Sequence, residues 1–183
     1  MKRAVILHGT DANPEANWFP WLRDKLETNG YQVWVPQLLN AHTPNRELWD
    51  HQILGGRELT DCIVVGHSAG AVEVLSLLMN PRCPRIRLGV MVSAWPDGMP
   101  VGEWETGQFD NLFPAEGFNL QIIKARADRL AFLHGAKDPY CPLATTMRLA
   151  EQLGAPITVV ANAEHFSGVT ALPELWKIIE PYL

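Results

Sequence analysis

Nowhere in this 183-residue chain do about 18 apolar residues follow one another, so no segment reads as a membrane span. Cysteine is scarce and odd in number: Cys62, Cys83 and Cys141 lack the paired spacing of a zinc site, so neither metal nor cofactor is expected. Basic residues are outnumbered, 15 Lys and Arg against 20 Asp and Glu, for a net charge of −5. That balance argues against a nucleic-acid partner, because such binding rests on neutralising phosphates. The opening "MKRAVILHGT" offers only four apolar residues after its basic pair, too few for a signal-peptide core. A reducing, cytoplasmic setting is the expectation. Repeats, low-complexity tracts and linkers are also missing. Residues 1–183 therefore read as one domain, long enough to bury about 70% of its unfolded surface.

What is present is a regular alternation. Six runs rich in Val, Ile and Leu (3–7, 31–35, 61–66, 87–93, 129–133 and 156–161) show little inside–outside alternation, as strands buried on both faces do. Between them, residues 17–28, 46–58, 69–79, 117–127, 142–153 and 170–181 carry helical spacing, such as Leu22 with Leu26 or Val72, Leu75 and Met79. Gly30 and Gly154 stand where helices stop. Repeated strand–helix units predict an α/β fold: a six-stranded, mostly parallel sheet with helices on both faces. Ligands of such sheets bind beyond the carboxyl ends of the strands. One departure is 93–118, "SAWPDGMPVGEWETGQFDNLFPAEGF", too long and too rich in Gly and Pro for a plain connection. It reads as an excursion over the binding edge or as a flap.

The third strand runs into "GHSAG", which fits G-x-S-x-G, a serine on a strained strand-to-helix turn. A helix cap or tight turn is the plainer reading of five such common residues. The flanking "DCIVV" and "AVEVLSLLM" supply the strand and the helix that the chemical reading needs. A serine hydroxyl attacks poorly unless a base takes its proton and a carboxylate orients that base. In this architecture the order is Ser, acid, His. His165, in "VVANAEHFSG" after the last strand, leaves room for an acid between; His134, ending "LAFLH", is the rival and leaves only Asp97 well placed. For the acid, Asp138 in "KDPYCP" follows the fifth strand, and Asp97 after the fourth competes with it, while Asp128 and Glu164 read as solvated charge. A developing oxyanion needs backbone donors. The N–H of Ala69 and, past the turn at Gly9, the N–H of Thr10 are the candidates. Asp11 and Asn13 suit a cap for the helix starting near Trp18.

With "VILHG", "WFPWL", "VVGHSAGAV", "SAW", "DPYCP" and the final "HF" assembled, the chain resembles the small α/β-hydrolases of the retinoblastoma-binding-protein-9 and YdeN type, a group of compact serine hydrolases. The likeness runs nearly end to end, and its specific parts are the elbow and the ordered triad. It implies nucleophile, acid and base at Ser68, Asp138 and His165. It also implies a sheet without extra antiparallel strands and no large cap domain. Family substrates are poorly defined, so the expected partner is a small-molecule ester, thioester or amide, with short acyl chains preferred in so small a domain. Trp18, Trp21, Trp95 and Phe166 are candidates for an apolar substrate pocket, although each could equally be core. The alternative is an interaction module on a hydrolase scaffold, for which the sequence offers no basic stripe, heptads or docking motif. A nucleotide site is weaker still, since "HGT" matches neither glycine-rich phosphate motif.

Overall fold

Each of the six apolar runs forms a strand in the computed structural model, which describes residues 1–98 and 100–183. The strands are β1 (Arg3–Leu7), β2 (Gln32–Trp34), β3 (Ile63–His67), β4 (Ile86–Val92), β5 (Ala127–Gly135) and β6 (Ile157–Val160). Every ladder is parallel, in the order β2-β1-β3-β4-β5-β6. The helices are α1 (Phe19–Thr28), α2 (Arg46–Gly56), α3 (Ala69–Met79), α4 (Leu120–Ala125), α5 (Leu143–Leu153) and α6 (Pro173–Ile179), followed by a 3-10 turn at Glu180–Tyr182. The expected helix over 117–127 is shorter, because β5 begins already at Ala127. Among the described residues, no helix is long and apolar enough to cross a membrane.

The pleat of β1 feeds two cores. Ala4 and Ile6 join Phe19, Leu22 and Leu26 of α1 and Leu175 and Ile179 of α6, whereas Val5 and Leu7 join the side chains of α2, α3, α4 and α5. Parallel strands covered on both faces need apolar residues at consecutive positions, and β3 is buried throughout. The edge strands β2 and β6 are shorter and partly exposed. Helix α1 has no side-chain cap; Asn13 instead accepts from the Glu15 N–H, and Asp11 pairs with His42. The expected capping role for those two residues is therefore corrected. A cap is worth about 1 kcal/mol, whereas burying Phe19, Leu22 and Leu26 contributes about 1.5–3 kcal/mol each. Packing decides this helix.

From β1 the chain moves outward to β2 and then crosses back to β3, so the strand order reverses between β1 and β3. Crevices at such switch points hold ligands. The pairing Leu7↔Gly66 carries a geometric consequence: two residues further on, Gly9 and Ser68 lie side by side. A side-chain carbon added at Gly9 would sit 2.8 Å from Ser68 Cβ. The 93–118 excursion forms no helix or strand among its described residues. Arg46 N–H donates to Asn111 O (2.9 Å), Gln108 Nε2 to His42 O (2.8 Å) and Val101 N–H to Tyr140 O (2.8 Å), which ties it down over the strand ends.

Candidate active site

Ser68 closes β3 and precedes α3 with φ 57° and ψ −124°, a conformation that costs a non-glycine residue about 1–3 kcal/mol. The turn persists because its surroundings admit nothing else. An added Cβ at Gly66 would collide with Gly70 O, and one at Gly70 would collide with Leu7 O. Ser68 N–H donates to Val92 O at 2.9 Å, and its carbonyl accepts from Ala71 N–H at 2.8 Å. Backbone on both sides thus fixes the serine at the rim of a cavity of about 200 Å³.

His165 opens onto the same cavity from the loop after β6. Its Nδ1–H donates to Asp138 Oδ2 at 2.8 Å, which leaves the Nε2 lone pair free. Asp138 follows β5, and its side chain is only 1% exposed. Its second oxygen, Oδ1, accepts from the N–H groups of Tyr140 and Cys141, both at 3.0 Å. Burial alone would push this carboxyl up. The hydrogen bond and charge of His165, with those backbone donors, outweigh it and hold the group down at about 2. Asp97 is exposed in the excursion. His134, the rival base, donates through Nε2 to Cys141 O at 2.9 Å and stands 3.9 Å from Asp138 Oδ2. Burial lowers its pKa, which suits a neutral core imidazole whose bonded nitrogen faces Cys141 and whose Nδ1 has no partner among the described residues.

Asp138, Cys141 and His165 bring a carboxylate oxygen, a thiol and a ring nitrogen within 4.8 Å of one another. The carboxylate and the ring nitrogen are committed to each other. Burial drives the Cys141 thiol far up, away from the thiolate a metal would need, so the set suits proton handling better than metal ligation.

Beside Ser68, the peptide between Gly9 and Thr10 is oriented by His8. That buried imidazole takes the Leu38 N–H at Nε2 (2.9 Å), so its Nδ1–H donates to Gly9 O (2.9 Å). In a trans peptide the N–H points opposite to the carbonyl, and the Thr10 N–H is turned away from His8. Neither Thr10 N–H nor Ala69 N–H has an acceptor among the described residues.

The cavity has two characters. Trp95, Pro100, Trp104, Phe109 and Tyr140 form an apolar wall from the loops after β4 and β5. Tyr140 stacks edge-on against both His165 (5.0 Å between ring centroids) and Trp104 (5.6 Å). Thr10, Asp11, Asn17 and Ser167 make the polar side. At its rim, His42 bridges Asp11 at 2.9 Å and Glu105 of the excursion at 3.3 Å, and both bonds raise the imidazole's pKa.

Of the residues expected in the pocket, Trp95 lines it. Trp18 does not: it is fully buried beneath the elbow, edge-on to His67 at 5.8 Å. Phe166 turns into the core shared with α1 and α6, and Trp21 packs against that same core. Trp104, Phe109 and Tyr140 went unpredicted. The aromatic richness of the excursion and the position of Tyr140 two residues past Asp138 were the available signals.

A family model described as "Serine hydrolase" matches residues 4–181. YdeN of Bacillus subtilis is 29% identical over 99% of this chain and 96% of its own, and the serine hydrolase RBBP9 of Rattus norvegicus is 23% identical over 99% and 95%. The crystal structure of the ydeN gene product superposes with a TM-score of 0.86 at 24% identity, covering 100% of this chain and 98% of the other. Est1E from Butyrivibrio proteoclasticus, with ferulic acid bound, shares the fold at TM-score 0.74 and 12% identity, over 100% and 88%. The α/β-hydrolase fold without a cap domain and the matching sequence together place this chain in the serine hydrolase family.

Proposed function

We propose that the protein hydrolyses small carboxylic esters, with thioesters and activated amides as related substrates, through an acyl-enzyme on Ser68. The observation that carries this reading is the 2.8 Å bond between His165 Nδ1 and a charged Asp138, behind a cavity that both His165 and Ser68 line. Ser68 Oγ bonds to the substrate carbonyl carbon while His165 Nε2 takes the hydroxyl proton. Asp138 holds the imidazolium in place and stabilises its charge. The carbonyl oxygen becomes an oxyanion facing the N–H groups of Thr10 and Ala69. When the bond to the leaving group breaks, His165 returns the proton to that group. Water then gives a proton to His165 and attacks the acyl carbon, and Ser68 departs with the proton to release the acid.

A cavity of about 200 Å³ lies below the roughly 300–1,000 Å³ of drug-sized sites. Short acyl groups, acetyl to hexanoyl, fit it, and its ring-lined wall suits aryl groups of similar bulk. Ferulic acid, an aromatic acid, is bound by Est1E on the same fold. Fluorophosphonate labelling with mass spectrometry tests the nucleophile: the adduct falls on Ser68, and Ser68→Ala loses both adduct and turnover. An adduct on another serine rejects the assignment. In a p-nitrophenyl ester panel, kcat/KM declines beyond hexanoyl; a steady rise out to palmitoyl would overturn the size argument.

A further inference from the structure

The residue before the nucleophile, His67, has no part in the chemistry above, yet it touches the base. His67 is 2% exposed, and its Nε2 lies 2.7 Å from the backbone carbonyl of His165. A carbonyl oxygen only accepts, so Nε2 carries the proton and donates. The two rings lie 5.0 Å apart, and Trp18 and Phe19 pack around His67 at 5.8 and 5.9 Å. Burial and the neighbouring charge of His165 press its pKa down to about 3, so it stays neutral throughout the working range. Its other nitrogen, Nδ1, is buried with no partner among the described residues. A buried polar atom without a partner costs stability. On packing grounds alone an apolar ring would serve better at this position; the Nε2–H is what a histidine adds.

The need for that donor follows from where the base sits. His165 is carried by the irregular stretch between β6 and α6, where no helix or strand fixes its height above the sheet. The loop is pinned at other points: Lys137 N–H donates to Ala163 O (2.9 Å), and Gly168 N–H donates to Asn17 Oδ1 (2.8 Å). Among these contacts, the one from His67 reaches the carbonyl of the base itself. We propose that His67 is a positioning residue, whose Nε2–H grips the His165 carbonyl and sets the imidazole at a fixed distance from Ser68. Residue 67 is rigid because residue 68 is, so nucleophile and base are referenced to one short piece of backbone. The inference rests on the reading of Ser68 and His165 as nucleophile and base.

Three substitutions separate the donor from the bulk. His67→Phe keeps a ring without a donor, whereas His67→Gln and His67→Met have nearly equal length and differ in whether the tip can donate. Steady-state and single-turnover kinetics on a short p-nitrophenyl ester are the readout, beside wild type and Ser68→Ala. Displacing a base by about 1 Å can cost about 10²-fold. The expected result is kcat lowered about 10–100-fold in the Phe and Met variants, with KM within about threefold, and recovery to within about fivefold of wild type in the Gln variant. In proton NMR, the downfield resonance of the His165 Nδ1–H broadens or shifts in the Phe and Met variants and persists in Gln. Wild-type kcat in folded Phe or Met variants overturns the proposal, as does an equal loss in Gln and Met. If Phe fails to fold, the Gln–Met pair still decides. Turnover surviving in Ser68→Ala would remove the nucleophile reading, and this inference falls with it; inert Ser68→Ala beside unimpaired His67→Met would sink the inference alone.

Discussion

Asp138 and Glu73 are both shut away from water, yet the protein keeps one charged and the other neutral. The Asp138 side chain is 1% exposed, and Glu73 is 0% exposed in the middle of α3. Asp138 meets an imidazole N–H and two backbone N–H groups, and its pKa falls to about 2. Glu73 meets no donor on either oxygen among the described residues. Burial comes first in raising its pKa, and the negative charge of Asp50 on α2 adds to it, more than Arg46 offsets. Asp50 is itself raised by burial, tempered by a 3.0 Å hydrogen bond from Asn80 Nδ2. Depth in the protein sets how much is at stake for a carboxyl group; the donors around it set the sign.

Breaking the charged site has the largest expected effect. Asp138→Asn removes the acceptor that fixes the His165 tautomer, and the corresponding change costs about 10⁴ in kcat in serine proteases. A loss of at least about 10² is expected here, against less than about threefold for the exposed Asp97. Single-turnover acylation rates in the reverse order would transfer the orienting role to Asp97.

The neutral site shows itself in stability. The folded pKa of Glu73 lies above its ordinary 4.5, so the folded chain retains a proton that the unfolded chain releases. Its stabilising contribution is complete below about pH 4.5 and is lost as pH rises toward the folded value. Asp138 has the opposite sign: its contribution is present above 3.8 and is lost as pH falls toward about 2. Between pH 5 and 8, the melting temperature of wild type should therefore fall by several degrees more than that of Glu73→Gln, at about 2–4 °C per kcal/mol for a chain of this size. Parallel melting curves for the two proteins would show that Glu73 ionises freely.

The smallest effect belongs to the donor beside Asp50, the carboxyl that faces Glu73. Asn80→Ala strips Asp50 of its hydrogen bond and should cost about 1 kcal/mol, or roughly 2–4 °C. The loss should be greater at pH 8 than at pH 5, because the amide supports the ionised form of Asp50. An unchanged melting temperature at both pH values would remove Asn80 from this account.

Strands and helices were legible because burial on both faces writes itself as consecutive Val, Ile and Leu, and α1 shows its core-facing stripe at Phe19, Leu22 and Leu26. The ordered arrangement of Ser68, Asp138 and His165 was legible for a related reason: each follows a strand, and strand ends converge. Side-chain direction was not legible. Trp18 lies close in sequence to the polar side of the cavity yet points under the elbow, and Phe166 adjoins His165 while its φ of 58° turns it into the core. The excursion hid its lining residues because irregular backbone has no period from which to read a face; Trp104 and Phe109 reach the cavity through tertiary hydrogen bonds from Gln108 and Val101. His67 occupies the variable position of G-x-S-x-G, where the motif itself carries no signal for the residue.

The alignment of Leu7 with Gly66 makes the placement of Gly9 beside Ser68 a by-product of sheet assembly. Two pieces of backbone come to flank Ser68 when β1 and β3 zip in that alignment, while the loops after β5 and β6 bring Asp138 and His165 to it. A slip of one residue would carry Gly9 past Ser68 and also invert which side chains of β1 enter each core. Misaligned chains would thus be catalytically silent and poorly packed at once. Turnover in this protein is in effect a proofreading signal for the pairing of β1 with β3.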